Sequence, residues 1–155
     1  MRPNGMKLSY RHRFWFYSSF RILFLSGLLW VFVHYFKSYH NEIGQTTHPA
    51  ESWALKIHGG AAMFTLVLLG TLIPLHMKKG WKAKINRKTG VILIGTNLIL
   101  ILTGYGLYYV GRDDIRNMTS WIHTVLGIFL PLIIFWHIRE GRRLRKRTSH
   151  TAHGR

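Results

Sequence analysis

The chain has 155 residues, with 22 Lys and Arg against 5 Asp and Glu and a formal net charge of +17. It contains no Cys, which excludes disulfides, thiolate nucleophiles, iron–sulfur clusters and covalently attached c-type haem. A charge of this size is typical of proteins that bind nucleic acid. However, 48% of the residues are hydrophobic and they are gathered in long blocks, which excludes a simple nucleic-acid reader.

The hydrophobic residues form four blocks, at about residues 14–36, 54–77, 90–110 and 119–138. Each is about 20 residues long, the length of helix that crosses the hydrocarbon core of a bilayer. None alternates as a strand does, and none has the polar face that a soluble bundle needs. We therefore predict an all-α integral membrane protein, an up-down-up-down bundle of four transmembrane helices over residues 1–145, with a disordered basic tail at 146–155.

Most of the Lys and Arg residues lie in three segments, 1–13, 78–89 and 139–155. The two remaining loops, 37–53 and 111–118, hold four of the five acidic residues. Because basic loops stay in the cytoplasm, we predict that both termini are cytoplasmic and that this is a multi-pass protein of a bacterial inner membrane. The positive charge is then mainly a topological signal, so the lipid bilayer and not nucleic acid is the expected partner.

Four of the ten His lie in the second and fourth blocks, at two depths on two helices that run the same way. His58 and His123 stand four residues inside the outer ends of their blocks, and His76 and His137 stand near the cytoplasmic ends. His58 and His76 are 18 residues apart, or five turns, while His123 and His137 are 14 apart, so each pair projects from about one face. Paired imidazoles on facing helices hold six-coordinate haems, so we predict two bis-His haem b groups, an outer one on His58 and His123 and an inner one on His76 and His137.

Small and charged residues near these His have two interpretations each. Gly59 and Gly60 follow His58 and predict room for a flat ligand, although plain helix packing through small residues is the alternative. Arg21, inside the first block, either pairs with a propionate of the inner haem or extends its charge to the cytoplasmic surface. The same choice, for the outer haem, applies to three further cations: Lys56, Arg112 and Arg116.

The His-x13-His spacing of His123 and His137, together with His58 on the second helix, resembles the small four-helix membrane b-type cytochromes. That superfamily includes the gamma subunits of formate dehydrogenase, the cytochrome b subunits of nickel–iron hydrogenases, and superoxide oxidase. The stretches 53–76 and 103–109 are similar to a separate bacterial branch of it. The resemblance covers about residues 8–145 as a layout of helices and histidines.

The resemblance implies a cytochrome that carries electrons across the bilayer between quinone or quinol and a partner redox subunit, with no catalytic residue of its own. The chain departs from the pattern at helix 1, where better-known members have a His-Trp pair whose His is the inner ligand. Here the pair reads Phe14-Trp15. His76 is the predicted substitute and His12 the fallback, while His34 is an alternative outer ligand.

Two other classes of function stay open from the sequence. One is a stand-alone membrane oxidoreductase that acts on quinone or superoxide. The other is a non-redox protein, either a transporter or assembly factor for transition metals or a structural anchor. Zinc chemistry is disfavoured, because the chain has no His-Glu-x-x-His motif and no Cys. A red protein with haem bands would separate the cytochrome from a colourless metal binder.

Overall fold

The computed structural model describes residues 9–37, 39–41, 44–46, 48–83 and 86–153. Its helices are α1 Tyr10–Phe36, α2 Pro49–Leu72, α3 Lys78–Lys82, α4 Arg87–Tyr109 and α5 Asp113–His153, with a π-helical stretch Ile73–Met77 between α2 and α3. Strands β1 Tyr39–Asn41 and β2 Gly44–Thr46 pair antiparallel between α1 and α2. Apart from this short strand pair, the predicted all-helical class is confirmed.

Four helices, α1, α2, α4 and α5, are long and apolar enough to cross a membrane. They correspond to the four predicted blocks, and each begins several residues earlier than its block. The Ser9 side chain accepts a hydrogen bond from the backbone N–H of His12 and so caps α1. His48 caps α2 in the same way, with Pro49 in the first turn, where its missing N–H has no cost.

The C-terminal helix differs from the prediction of a disordered tail at 146–155. Helix α5 continues through His153, and residues 154–155 lie outside the described residues. No Gly or Pro interrupts the sequence from 142 to 153.

The π-helical stretch interrupts the end of the second predicted block. Pro74 lies at its start. A proline inside a helix removes one backbone donor and clashes with the preceding turn, which a π-helical widening relieves. His76 falls within this stretch, so the regular helical spacing that related it to His58 in the sequence does not hold.

The chain divides into two compact units, Met1–Lys79 and Gly80–Arg155. In each unit two long helices form an antiparallel hairpin, since side-chain partners come closer in sequence toward the connecting loop. In the first unit the partners are Thr71 with His12, Thr65 with Ser19, His58 with Ser26, and Glu51 with His34. In the second they are Thr89 with His137 and Thr103 with His123.

The line of contact in each hairpin is lined by small and polar side chains. We call the line between α1 and α2 the first seam; its buried residues are Ser19, Ser26, Val33, Glu51, Ala54 and Thr65. The second seam, between α4 and α5, buries Thr89, Thr96 and Leu130. Large apolar side chains lie outside, as with Val67 at 66 % and Leu102 at 61 % exposure. This inverted distribution suits a bilayer, where close packing and interhelical hydrogen bonds join helices and apolar surface faces lipid.

Candidate functional site: histidines in the helix seams

His58 is half-buried in the first seam, where it projects from α2 toward α1. Its Nδ1 is 2.9 Å from the backbone carbonyl oxygen of Leu23 and 3.3 Å from Oγ of Ser26. The Ser26 hydroxyl donates to the same carbonyl at 3.0 Å. Because a carbonyl oxygen only accepts hydrogen bonds, Nδ1 of His58 is the protonated nitrogen.

The glycine after Ser26 makes the position of this ring possible. A Cβ placed on Gly27 would lie 3.0 Å from Cε1 of His58 and 3.2 Å from Nδ1. A Cβ at this position would therefore force the imidazole to shift by a few tenths of an ångström. We call this arrangement a hydroxyl–glycine cradle: a Ser or Thr whose oxygen lies beside Nδ1 of a His on the neighbouring helix, followed by a Gly against its Cε1.

His123 on α5 has the same surroundings in the second seam. Its Nδ1 is 2.9 Å from Oγ1 of Thr103, whose hydroxyl donates to the carbonyl of Ile99 at 2.7 Å. The hydroxyl proton is thus directed along α4, and the Thr103 oxygen accepts a hydrogen bond from Nδ1. A Cβ on Gly104 would lie 3.2 Å from Cε1 of His123, so Thr103-Gly104 is a second cradle.

His137 lies on α5 two heptads after His123, and its ring lies in the third cradle. Its Nδ1 is 2.9 Å from Oγ1 of Thr89, which donates to Oδ1 of Asn86 at 2.5 Å. The Asn86 amide nitrogen donates to the His137 carbonyl at 2.8 Å and lies 3.3 Å from Nδ1. Because the single proton of the Thr89 hydroxyl goes to Asn86, its oxygen accepts at this contact, and Nδ1 of His137 is the donor. A Cβ on Gly90 would lie 3.7 Å from Cε1, an ordinary contact distance.

The three cradles have a sequence signal that the sequence analysis missed. Ser26-Gly27, Thr89-Gly90 and Thr103-Gly104 are the only Ser-Gly or Thr-Gly dipeptides in the chain. The two on α4 are 14 residues apart, which matches the 14 residues between His123 and His137 on α5. Residues seven apart return to one contact line between slightly crossed helices, so equal spacing on two antiparallel helices aligns each cradle with one His.

All three imidazoles therefore hold the proton of the neutral ring on Nδ1. The lone pair of the neutral ring is then on Nε2, the nitrogen able to coordinate a metal. Metal-binding His residues characteristically donate their other N–H to a carbonyl or similar acceptor, which fixes the tautomer and the ring orientation. The donor set thus fits an iron ligand at His58, His123 and His137.

The two candidates for the remaining inner ligand differ from these three. His76 is half-buried in the π-helical stretch, and the chain has no fourth Ser-Gly or Thr-Gly dipeptide to support it. His12 lies with Nε2 3.2 Å from Oγ1 of Thr71, whose hydroxyl donates to the carbonyl of Leu68 at 2.7 Å. Nε2 of His12 is therefore a donor, the reverse of the pattern in the cradles.

The other residues predicted for the haem sites take varied positions. Gly59 is half-buried, while Gly60 is exposed and opens on an apolar cleft of about 310 Å³ beside Ile57 and Phe64. No heavy atom lies within 4 Å of a Cβ placed on Gly60. Arg21 is exposed and makes no ion pair within the described part of the chain. The prediction that these residues contact haem stays a prediction.

The cations predicted near the outer haem have partners of their own in two cases. Arg112 forms an exposed ion pair with Asp114 at 2.8 Å, and the Lys56 ammonium lies 4.9 Å from the Trp53 ring centroid. These are the ordinary contacts of interfacial charges. Arg116 is exposed, and its contacts indicate no particular role for it.

Two polar residues near the α1–α2 loop were not predicted to interact. Oε1 of the buried Glu51 is 2.8 Å from Nδ1 of His34. From the sequence, Glu51 counts only among the acidic residues of loop 37–53. Among the described residues, no three His, Asp or Glu side chains come together in a way that could hold a metal ion.

Comparison with family models, with curated proteins and with solved structures finds no match for this chain.

Proposed function

We propose that this chain is a membrane-embedded b-type cytochrome that holds two haem b groups through His side chains and carries electrons between a quinone pool and a partner redox subunit. The observation that carries the proposal is the repeated cradle. Three imidazoles inside two apolar helical hairpins are each fixed with Nδ1 donating to the neighbouring helix. A packing role would not require one tautomer three times over.

The chain's own residues supply the ligands and their orientation. His58, His123 and His137 present an unprotonated Nε2 in the neutral ring, and the hydroxyl and carbonyl acceptors hold each ring in place. When bound, haem supplies reversible one-electron chemistry, which the protein tunes through axial ligands, hydrogen bonds and burial. The apolar helix surfaces exclude water from these positions.

The ligands proposed for each iron are the ones that the sequence predicts. His58 and His123 are proposed for the outer haem and His76 and His137 for the inner haem. His76 is preferred to His12 because Nε2 of His12 donates to Thr71 and is thus engaged as a hydrogen-bond donor. Gly59, Gly60 and Arg21 remain proposed contacts of the macrocycle and its propionates.

The proposed location is the bacterial inner membrane, with both termini in the cytoplasm. Support comes from the four membrane-length helices and from the concentration of basic residues in alternate connecting segments. A periplasm-active reporter fused after Arg155 should be inactive and a cytoplasm-active one active. The reverse result would overturn this orientation.

The test of the cytochrome is direct measurement of haem in the purified full-length protein. We expect a red protein with the α and Soret bands of low-spin bis-His haem b, and two haems per chain by the pyridine haemochrome assay. A variant with His150 and His153 both changed to Ala, at the end of α5, is a control that should keep this ratio. Colourless protein from cells with ample haem would rule the proposal out.

A further inference from the structure

Asn86 lies between the second seam and the turn that leads into α4. Its φ of 55° and ψ of 35° are left-handed, a conformation that Asn adopts more readily than most residues with a Cβ. A residue just before a helix ordinarily caps it from an extended backbone, with its side chain on an N–H of the first turn. The Asn86 side chain makes no such cap. Its amide instead contacts Thr89 on α4 and His137 on α5.

The partners of the Asn86 amide fix its orientation. One end lies 2.8 Å from the backbone carbonyl oxygen of His137, which only accepts, so this end is the amide nitrogen. The other end is therefore the oxygen, and it accepts the hydroxyl proton of Thr89 at 2.5 Å. Because the hydroxyl has a single proton, the Thr89 oxygen is left to accept from Nδ1 of His137 at 2.9 Å. The orientation of one amide thus determines which nitrogen of His137 holds the proton.

Thr89 needs this amide because of its place in α4. At the other two cradles the hydroxyl donates to a carbonyl three or four residues earlier in its own helix, as Thr103 does to Ile99. Thr89 is the third residue of α4, so the helix has no turn ahead of it to offer such a carbonyl. Asn86, three residues earlier, supplies a side-chain oxygen in its place.

The surroundings of Asn86 leave room for the amide and close the turn beside it. A Cβ on Gly141 of α5 would lie 3.3 Å from Nδ2 of Asn86, so any other residue there would force the amide to shift by a few tenths of an ångström. Arg87 donates to the Trp81 carbonyl at 2.6 and 3.1 Å and lies 4.9 Å from the Trp81 ring centroid. Asn86 is therefore held between a closed turn and a glycine on the facing helix.

We propose that Asn86 is a positioning residue for His137, which it keeps in the tautomer with a lone pair on Nε2. The inference rests on the proposed cytochrome function, which makes His137 an iron ligand. Asn86 acts through the hydroxyl of Thr89. Without the amide oxygen, that hydroxyl can donate to Nδ1 of His137. The ring proton then leaves Nδ1 and a proton is held on Nε2, where it blocks coordination.

The first test determines the His137 tautomer by solid-state nitrogen NMR. It uses the full-length protein with isotope-labelled His, in lipid bilayers at alkaline pH, from cells that make no haem. The signals absent from His137→Gln identify the ring. Asn86→Gly deletes the amide and keeps the left-handed backbone, which Gly adopts freely. We expect it to change His137 from a ring protonated on Nδ1 to a mixture of the two tautomers.

The conservative variant Asn86→Asp separates the amide oxygen from the amide nitrogen. It keeps an oxygen that accepts from Thr89 and loses the donor to the His137 carbonyl. We expect it to retain the wild-type tautomer, because the direction of the Thr89 hydroxyl is preserved. A mixture of tautomers in Asn86→Asp would show that the tie to the carbonyl, and not the acceptor for Thr89, controls the ring, which would overturn the proposed route.

The second test measures transfer of haem from the haem-loaded protein to a haem-scavenging protein. The component missing from His137→Ala in a reductive titration identifies the haem proposed for this ligand. Asn86→Gly should raise the rate of loss of that haem about 10-fold, the lower end of the usual effect of removing a partner of a metal-binding His. Asn86→Asp should stay near the wild-type rate, and the other haem should be lost at the wild-type rate in both variants.

Asn97→Gly is the matched control, since it makes the same chemical change on the same helix. The Asn97 amide donates at 2.8 Å to the Leu93 carbonyl of its own helix. Because Gly weakens a helix interior, a purely structural role of Asn86 would give Asn97→Gly an equal or larger effect. We expect Asn97→Gly to keep the wild-type His137 tautomer and rate of haem loss.

The two tests separate the failure of this inference from the failure of the cytochrome proposal. An unchanged tautomer, or an unchanged rate of haem loss, in Asn86→Gly would overturn the role of Asn86. A protein that never binds haem would end the cytochrome proposal, and the NMR spectrum of the haem-free chain would still decide whether Asn86 sets the tautomer of His137.

Discussion

The two helical hairpins use the same cradle a different number of times. In the second unit, α4 carries two Thr-Gly pairs that support His123 and His137 on α5. In the first unit, α1 carries a single Ser-Gly pair that supports His58 on α2. The first hairpin therefore supports one of the predicted ligands in a cradle, His58, and the second hairpin supports two, His123 and His137.

The difference has a structural cause in α2. The second seam keeps a seven-residue repeat along α4 and α5 through Thr96 and Leu130. The first seam follows such a repeat from Glu51 through His58 to Thr65, and the π-helical stretch at Pro74 then ends it. His76 comes after this break. The repeat that positions a cradle thus covers His58, His123 and His137, and His76 lies beyond it.

The largest effect is expected from removing either of the ligands proposed for the outer haem, each of which lies in a cradle. His58→Ala and His123→Ala should each lower the haem content to about half, since these two residues are the ligands proposed for the outer haem. The pyridine haemochrome assay measures the ratio. His34→Ala is the control and should retain all haem, because His34 is bound to Glu51. Full haem content in both ligand variants would refute the outer pair.

A second large effect tests the ligands proposed for the inner haem, of which only His137 lies in a cradle. His137→Ala and His76→Ala should remove the same component in a reductive titration, and His12→Ala should leave that component intact. If His12→Ala removes it and His76→Ala does not, the inner ligand belongs to α1. The second unit would then still supply His137, so only the contribution of the first unit would change.

The sequence predicted the helices well because apolar length is a local property of the chain. Four blocks of about 20 apolar residues can be read without knowledge of their neighbours. The helices begin earlier than the predicted blocks where polar capping residues such as Ser9 and His48 lie before the apolar residues. The extension of α5 through His153 was missed because charge alone was taken as a sign of disorder.

The candidate site was predicted only in part, because it depends on contacts between helices. The sequence pointed to His58, His123 and His137, and to glycines as space for a flat ligand. The structure instead places Gly27, Gly90 and Gly104 against the imidazoles themselves. The pairing of Glu51 with His34 follows from the register of α1 against α2, which no local pattern reports.

A smaller effect is expected when a cradle glycine is filled. Gly104→Ala would place a Cβ 3.2 Å from Cε1 of His123, so the ring must shift and the haem on that ligand should be lost more readily on dilution or heating. Gly95→Ala, on the same helix, meets no heavy atom within 4 Å and is the control. Because Ala favours a helix by about 1 kcal/mol over Gly, the control should be neutral or slightly stabilised. Equal haem retention in the two variants would show that ring position does not depend on the glycine.

The smallest effect should come from removing one hydroxyl while keeping the shape of the side chain. Thr103→Val deletes the oxygen that accepts the hydrogen bond of His123 Nδ1, and a partner of this kind contributes about 10- to 100-fold to metal affinity. Thr96→Val is the matched control, since it lies seven residues away on the second seam and its hydroxyl donates only to the Ile92 carbonyl of its own helix. We expect Thr103→Val to raise the rate of haem loss to a haem-scavenging protein and Thr96→Val to leave that rate unchanged. Comparable loss rates in both variants would mean that the hydroxyls stabilise the seam and do not orient the ligand.

Ser26→Ala in the first unit should have a weaker effect than Thr103→Val, because the Leu23 carbonyl still accepts from His58. The same substitution logic thus measures how far a backbone carbonyl replaces a hydroxyl in holding a ligand.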